Sequence, residues 1–277
     1  MLLAGPGPAG DADVDAPATG LPSAPGGLRR IEAIMGTTFE LDLRDPDADP
    51  GAVDAAFAWL HDVDARFSTY RPDSEISRLR RGELDQRDAS TEVQVVLAEC
   101  DAMERRTNGY FSARPNGPGT PIDPSGYVKG WALERASEIL AAGGARTFSL
   151  NGGGDIVARG RPAPGTDWRV GIRHPIVRDR IAVVIAVSDM AVATSGAYER
   201  GDHVRDPHSG AAVSGLLSMT VVGPSITVAD VLATAAFAMG REGAAWLATQ
   251  SGYEGCAITA DERVVTTPGF EALRVRD

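Results

Sequence analysis

Five short β-rich runs crowd into the middle of the chain, and they constrain its fold more than any other feature of the sequence. The runs are TFSL (147–150), DIVAR (155–159), WRVGIR (168–173), IAVVIAV (181–187) and LLSMTVV (216–222). Most of the links between them are too short to hold the crossover helix that parallel neighbours require. We therefore expect an α+β fold with mixed, mainly antiparallel sheets and packed helices, rather than a regular doubly wound sheet.

Periodic apolar residues predict helices before and after these runs. The first helix follows a helix-start signal, the second opens with capping-box spacing between Thr91 and Gln94, and the third is stopped by a Gly-Gly pair. The predicted helices span residues 50–67, about 91–107, about 129–142, 228–240 and about 243–250. The other predicted strands lie at 31–43, as an extended hairpin, and at 256–260 and 263–267.

Charge and cysteine content exclude several classes of function. With 27 basic and 38 acidic residues the formal net charge is −11, which argues against nucleic acid or an anionic membrane as the main partner. Cys100 and Cys256 are the only cysteines, so neither a disulfide scaffold nor a cysteine-rich zinc site is available. No stretch approaches the ~20 consecutive apolar residues that a membrane span requires, so we expect no membrane-spanning segment.

The N-terminal segment differs in composition from the rest of the chain. Residues 1–27 are rich in Gly, Pro, Ala and Asp, which predicts a disordered tail ahead of a domain at 28–277. The segment lacks the basic flank and the long apolar run of a signal peptide, and it has no cysteine that could carry a lipid. We therefore expect a cytoplasmic location.

The 228–240 segment, VADVLATAAFAMG, is an alanine-rich helix that carries a carboxylate at Asp230 and a hydroxyl at Thr234. Residues four apart lie on the same face of a helix, one turn above the other. Two oxygen ligands stacked beside small side chains could hold a hard cation. A core helix with a polar end is the alternative interpretation.

Two glycine-containing turns place polar groups where a plain core does not need them. Residues 123–131, DPSGYVKGW, run from a turn into a helix, whose N-terminus together with Lys129 suits phosphate. An ordinary turn with a solvated lysine explains the same residues. Residues 149–157, SLNGGGDIV, place three glycines between strands, which permits a close approach of the backbone to a ligand. A plain hairpin is the alternative there.

A histidine follows a run of small hydroxyl residues later in the chain. ATSGAY (193–198) could bind a diphosphate, and His203 in DHVRDPHSG (202–210) could supply a base, since histidine titrates near pH ~6.5. The alternative is a Ser/Thr-rich loop whose histidine is satisfied by a neighbour. No role is assigned to His208.

The segment that leaves the first long helix, FSTYRPDSEIS (67–77), offers an aromatic platform. Tyr70 could stack on an aromatic ring, and the backbone of 68–70 could contact the edge of that ring. Helix termination explains much of the same pattern.

Taken in this order, these segments resemble the ApbE family, the FAD:protein FMN transferases. The resemblance covers about residues 30–265 and rests on seven motifs in one collinear order. The motifs are MGTTFE, DARFSTYRPDSEISRL, GYF, DPSGYVKGWALERA, NGGGDI, VATSGAYER with HVRDPHSG, and ADVLATAAFAMG. The resemblance implies a single globular, T-fold-like unit.

The resemblance also implies an activity and a site. Family members bind FAD as substrate with Mg²⁺ and move its FMN half onto a threonine of an acceptor flavoprotein, releasing AMP. Carried onto this sequence, the metal ligands would be Asp230, Thr234 and the main-chain carbonyl of Gly126, and His203 would be the base. The residues lining FAD would be Met35, Ser68, Thr69, Tyr70, Ser112, Asp123, Lys129, Gly153, Thr194, Ser195, Gly196 and Arg205, the last mainly through its backbone.

The chain departs from the family pattern around its GYF motif. Ser112 follows GYF where members usually have an aspartate, and only the short segment 115–122 precedes Asp123, where many relatives carry a long insertion. Attack by water in place of threonine would make the protein an FAD pyrophosphatase, and a non-catalytic FAD-binding protein is a third possibility. A nicotinamide oxidoreductase would need a dinucleotide-binding βαβ fingerprint, which the sequence lacks.

Overall fold

One antiparallel sheet organises the molecule. The computed structural model describes residues 27–276 except 115, 116, 118, 178 and 197–205. The strands are β1 (Leu28–Ile34), β2 (Thr37–Leu43), β3 (Phe148–Gly152), β4 (Asp155–Arg159), β5 (Trp168–Arg173), β6 (Ile181–Val187), β7 (Met190–Gly196), β8 (Leu216–Gly223), β9 (Glu254–Thr259) and β10 (Val264–Thr266). Eight of them form a sheet in the order β1-β2-β3-β4-β7-β8-β9-β10, and β5 pairs with β6 alone. Every pairing among these strands is antiparallel, which confirms the predicted fold class.

Six α-helices accompany the strands in the described residues. They are α1 (Pro50–Phe67), α2 (Glu75–Arg80), α3 (Thr91–Arg106), α4 (Ser125–Ala142), α5 (Ile226–Ala238) and α6 (Gly243–Leu247). Short 3₁₀ turns lie at 86–88, 240–242 and 270–272. Among the described helices, none combines the length and the apolar character that crossing a bilayer demands.

The two faces of the eight-stranded sheet bury separate cores. Because side chains alternate along a strand, neighbouring residues of β7 point to opposite faces, so Ala193 joins the helix-side core and Val192 the other. Helices α1, α4 and α5 cover the first face. The β5–β6 pair covers the second through a cluster that includes the fully buried Trp168. The central strands are therefore buried on both sides.

Four predictions about individual elements need correction. Residues 193–196, taken as a loop, form the end of β7, because they pair with β8 and continue a strand whose first residues, 190–192, pair with β4. Helix α4 begins at Ser125, one turn earlier than predicted, and α2 was not predicted at all. The N-cap of α3 is Ser90, whose hydroxyl accepts from the Val93 N–H, so no capping box forms at Thr91.

The predicted N-terminal tail lies outside the described residues except for residue 27. The boundaries of α1 and of strands β4, β5 and β6 match the prediction.

Gly130 sets the distance between α4 and α5. A Cβ built on it would lie 2.9 Å from Thr227 Cα, 3.1 Å from the carbonyl oxygen of Ile226 and 3.3 Å from Asp230 Cβ. Two of these neighbours belong to the backbone and cannot rotate away. The helices can therefore approach this closely only with glycine at position 130.

We expect Gly130→Ala to destabilise the protein although it introduces a better helix former. Alanine gains about 1 kcal/mol of helix propensity, but overpacking against the α5 backbone costs about 1–3 kcal/mol. The net result should be a fall in the free energy of unfolding, measured by urea denaturation. Ala141→Ser, which adds one heavy atom at an exposed position of the same helix, is the matched control. A Gly130→Ala protein as stable as the Ala141→Ser protein would contradict the close approach of the two helices.

Candidate functional site

One end of the eight-stranded sheet gathers the segments that the sequence analysis selected. The two-residue turn Met35-Gly36 joins β1 to β2, and Gly153-Gly154 joins β3 to β4. All four residues have positive φ, as two-residue hairpin turns of the primed type require. The antiparallel order brings the C-terminal end of β7, Thr194–Gly196, to this same end of the sheet. The SLNGGGDIV segment is thus a tight hairpin whose turn lies beside the end of β7.

Asp155 is the buried centre of this region. It opens β4, it is fully buried, and its Oδ1 accepts a hydrogen bond from the Thr194 backbone N–H at 3.1 Å. Its Oδ2 forms an ion pair with the Nζ of Lys129 on α4. One carboxylate therefore ties together two neighbouring strands and a helix.

Lys129 brings the same ammonium group close to a second carboxylate. Its Nζ lies 3.7 Å from Oδ2 of Asp230, whose side chain is 5% exposed. One turn further along α5, the hydroxyl of Thr234 is hydrogen-bonded to that of Ser195 at 3.1 Å. The carboxylate and the hydroxyl predicted to share one face of the helix therefore both point toward the end of β7 and the start of α4.

The register between α4 and α5 indicates where Gly126 lies. Glu134 accepts hydrogen bonds from the Ser225 hydroxyl at 2.7 Å and from the Thr227 N–H at 3.3 Å, and Gly130 packs on the residues that follow. Moving toward the start of α4 thus corresponds to moving toward the end of α5, so the two helices are antiparallel. One further turn along this register directs Gly126 toward the Asp230–Thr234 segment.

Gly126 lies in the first turn of α4, against Phe111. A Cβ built on Gly126 would lie 3.3 Å from a ring carbon of Phe111. In helical geometry its carbonyl accepts from the N–H four residues later, which leaves one lone pair for another partner. Asp123 fixes this end of the helix, because its Oδ1 accepts from the Ser125 N–H at 3.1 Å and from the Ser125 hydroxyl.

The donors in this region suit a hard cation. In the described part of the chain, no group of three or more His, Cys, Asp or Glu side chains is arranged to hold a metal ion. The available set is one carboxylate, one hydroxyl and one main-chain carbonyl, all oxygen donors. Mg²⁺ prefers oxygen ligands and retains positions for water and phosphate, so a sparse set fits it. The ammonium beside Asp230 already shows that this position accommodates positive charge.

The segment after α1 serves first to end that helix. The hydroxyl of Ser68 accepts from the N–H groups of Tyr70 at 3.2 Å and Arg71 at 3.3 Å, and its carbonyl accepts from the hydroxyls of Ser74 and Ser77. The side chain of Tyr70 is nevertheless 94% exposed. Helix termination thus accounts for Ser68 and for the backbone of half-buried Thr69, but not for an exposed aromatic ring.

Packing places the end of α1 beside the start of α4. The ring of Phe67 makes an edge contact with that of Trp131, with centroids 5.4 Å apart, and Trp59 makes a similar contact at 5.0 Å. Trp131 is two residues from Lys129. Tyr70 therefore follows, three residues later, a helix end that packs on the N-terminal half of α4, the half that also carries Lys129.

Ser112 is engaged with α3 rather than with the buried ion pairs. Its hydroxyl donates to Oε2 of Glu104 at 2.8 Å and accepts from the Arg114 N–H at 3.0 Å. Glu104 also lines a cavity of about 530 Å³ together with Asp101, Arg105, Asn108 and Gly109. The cavity is open and lies away from Asp155, so we assign it no part in holding the cation.

Two predicted residues lie outside the described residues: His203 and Arg205. His208, which received no role, makes an edge contact with the Tyr110 ring at 4.6 Å, and its Nε2 lies 3.0 Å from the Asn108 carbonyl oxygen. These contacts explain His208 as a packing residue.

Sequence reasoning missed two members of the buried cluster. Asp155 was read only as part of NGGGDI, and Thr220, whose hydroxyl is 2.9 Å from that of Thr194, was not considered. A carboxylate that opens an otherwise apolar strand was the available signal for Asp155, since a buried charge needs a cationic partner. Thr220 gave no comparable signal.

Burial removes several groups as candidate nucleophiles or bases. It raises the pKa of Cys100 and of Cys256 to about 12, so neither thiol ionises near neutral pH. Burial likewise raises the pKa of the Tyr127 phenol, which stays protonated. Among the described residues, the groups available at this end of the sheet are therefore oxygen donors and the lysine.

Comparison with known proteins gives one consistent result. The family model described as the ApbE family matches residues 35–115 and 112–257. The FAD:protein FMN transferase of Vibrio cholerae is 27% identical over 270 residues, covering 75% of this chain and 80% of the relative. That of Rhodobacter capsulatus is 28% identical over 275 residues, covering 90% of this chain but 49% of the relative.

Solved structures show the same fold. The flavin transferase ApbE from Vibrio cholerae matches with a TM-score of 0.77 at 23% identity, over 89% of this chain and 99% of that one. The ApbE protein of Thermotoga maritima also gives a TM-score of 0.77, at 20% identity, over 90% and 100% of the two chains.

Proposed function

Because the chain belongs to the ApbE family, we propose that it transfers the FMN moiety of FAD to a threonine of an acceptor flavoprotein and releases AMP. The observation that carries the proposal is the buried cluster in which Lys129 lies between Asp155 and Asp230, at the end of β7. It combines a cation that can meet phosphate with an oxygen set suited to a metal. The V. cholerae and R. capsulatus relatives are themselves named FAD:protein FMN transferases.

The proposed reaction replaces a phosphoanhydride bond of FAD with a phosphoester bond to threonine. The threonine oxygen of the acceptor bonds to the phosphorus of the FMN half, and the bond from that phosphorus to the bridging oxygen breaks. AMP leaves with that oxygen, and the proton of the threonine hydroxyl passes to a base, for which we propose His203. No oxidant or reductant is needed.

We propose Asp230, Thr234 and the main-chain carbonyl of Gly126 as the ligands of Mg²⁺. When bound, this ion would supply positive charge to the diphosphate and to the departing AMP. Asp230 contributes the charged ligand, and its near-complete burial keeps competing water away. The hydrogen bond between the hydroxyls of Thr234 and Ser195 holds the Thr234 hydroxyl at the end of β7.

The remaining residues position the substrate. The ammonium of Lys129, on the second turn of α4, can meet the diphosphate, and Thr194–Gly196 border the same space. Tyr70, almost fully exposed next to the helical layer, can cover an aromatic ring of FAD. We also propose that three further residues lie at the edge of the FAD site. Met35 and Gly153 belong to turns at this end of the sheet, and Asp123 lies at the start of α4. A cytoplasmic location and a cytoplasmic acceptor stay predictions.

The decisive test is to incubate the protein with FAD, Mg²⁺ and a panel of candidate acceptor flavoproteins and to measure acceptor mass. We expect one acceptor to gain the mass of one FMN, with one AMP released per transfer. The matched control is the same acceptor with its modified threonine replaced by alanine, which should gain nothing. Release of FMN and AMP at the same rate with no acceptor present would favour a pyrophosphatase and contradict the proposal.

Removing the proposed metal carboxylate should remove turnover. We expect Asp230→Ala to lower AMP release by about 100-fold or more, because several kcal/mol of charge stabilisation would be lost. Thr234→Val should also impair the reaction, whereas Thr234→Ser, which keeps the hydroxyl, should retain most of it. Glu138→Gln, which removes an exposed carboxylate of α4, is the charge control. An Asp230→Ala protein with wild-type turnover would refute the metal assignment.

Tyr70 should contribute to FAD affinity rather than to stability. We expect Tyr70→Ala to weaken FAD binding by about 10-fold, since stacking of a base on an aromatic side chain contributes about 1–3 kcal/mol. Tyr70→Phe, which keeps the ring, should bind nearly as well as wild type, as measured by flavin fluorescence. The melting temperature should not change, because the side chain is 94% exposed. Equal FAD affinity in all three proteins would rule out stacking.

A further inference from the structure

Lys129 occupies an unusual position for a residue that contacts a substrate phosphate. Its side chain is 18% exposed, and its ammonium faces the carboxylates of Asp155, 1% exposed, and Asp230, 5% exposed. The contact with Asp155 is a direct hydrogen-bonded ion pair, whereas Asp230 Oδ2 is 3.7 Å away. The lysine is therefore part of the surroundings of the proposed metal ligand.

Asp155 holds the lysine in this position. Its other carboxylate oxygen accepts the Thr194 N–H at 3.1 Å, in the middle of an eight-stranded sheet, so Asp155 cannot follow Lys129 if the lysine moves. Gly130, the next residue of α4, packs on the α5 backbone and fixes the helix from the other side. The separation between the ammonium and Asp230 is therefore set by the fold.

We propose that Lys129 is a built-in competitor of the divalent metal at Asp230, held there by Asp155, so that metal binds strongly only together with the diphosphate of the substrate. This proposal rests on the proposed function for its metal site. It adds that the metal and the diphosphate bind to that site together. An ammonium within ion-pair distance of Asp230 repels a second cation placed on the same carboxylate. A diphosphate brings enough negative charge to accommodate both cations.

Two single substitutions should then have opposite effects on metal affinity. Lys129→Gln removes the repelling charge and leaves both carboxylates, so metal binding without substrate should tighten. Asp155→Asn removes a nearby negative charge but keeps an oxygen that can accept the Thr194 N–H. It also frees the ammonium to pair more closely with Asp230, so metal binding should weaken. A purely structural role for the ion pair predicts that both substitutions weaken metal binding.

The experiment titrates the full-length protein with Mn²⁺ in the absence of FAD and measures free Mn²⁺ by electron paramagnetic resonance. We expect Lys129→Gln to bind Mn²⁺ about tenfold or more tightly than wild type, as removal of one like charge at this range predicts. Lys129→Arg, which keeps the charge, should stay as weak as wild type. Adding Asp230→Ala to Lys129→Gln should remove the gain, which assigns the signal to this site rather than to the acidic surface.

A second pair of variants tests the proposal even if Lys129→Gln fails to fold. Lys129→Gln leaves the buried Asp155 without its cation, which can destabilise the protein. The double variant Lys129→Gln/Asp155→Asn removes both charges, and it should bind Mn²⁺ more tightly than Asp155→Asn alone. Circular dichroism of each variant identifies those that are folded. If Lys129→Gln does not fold, the pair of variants that share Asp155→Asn decides the question.

Titrations with and without FAD separate the possible failures. Wild type should bind Mn²⁺ weakly alone and tightly with FAD, and Lys129→Gln should show a smaller difference and a lower affinity for FAD. If wild type gains Mn²⁺ affinity with FAD but folded Lys129→Gln binds no more tightly without it, the competition is refuted and the metal site stands. If no Mn²⁺ binds in any protein even with FAD, both the competition and the proposed metal site are refuted.

Discussion

A buried carboxylate with a fixed partner on each oxygen is the constraint on which the site depends. Burying an ion pair costs several kcal/mol in desolvation for each charge, and the loss is recovered only when the geometry satisfies both groups. Asp155 meets this condition by taking the Thr194 N–H from β7 and the Lys129 ammonium from α4. Removal of either partner would leave a charge or a polar group buried alone. The sheet and the helical layer are thereby locked in one relative position.

Small residues make this arrangement possible. Gly130 lets α4 approach the backbone of α5, and the alanines of α5 let that helix lie against the sheet with almost no exposed surface. The Asp230 carboxylate is thus buried, and the Thr234 hydroxyl is half-buried against Ser195, so water has limited access to both. In such surroundings each charge acts over a longer range than in water, which would let Lys129 act on both the proposed metal and the proposed phosphate.

The sequence predicted most helices and strands but not the contacts between residues that are distant in the chain. Apolar periodicity and the Asp49-Pro50 start gave α1 with correct boundaries, because local signals and burial agree there. β7 was missed because the Ala, Ser and Gly residues that it contains carry little intrinsic strand preference, and pairing with β4 and β8 makes it a strand. Similarly, Asp230 and Thr234 could be paired from helical spacing alone. The ion pair between Lys129 and Asp155 joins residues 26 positions apart, and no local pattern encodes such a contact.

The turn at Met35 places a methionine in a backbone conformation that favours glycine. Met35 and Gly36 both have positive φ, at 53° and 72°, and only glycine adopts that conformation without cost. A side chain in the left-handed region raises the energy of the folded state by about 1–2 kcal/mol, and a glycine at position 35 would relieve this strain. The chain nevertheless carries a long, flexible, polarisable thioether there, half-buried at the same end of the sheet as the C-terminal end of β7. In the proposed FAD site the methionine would supply an adaptable apolar contact, and the free energy of that contact with the bound substrate would offset the conformational cost.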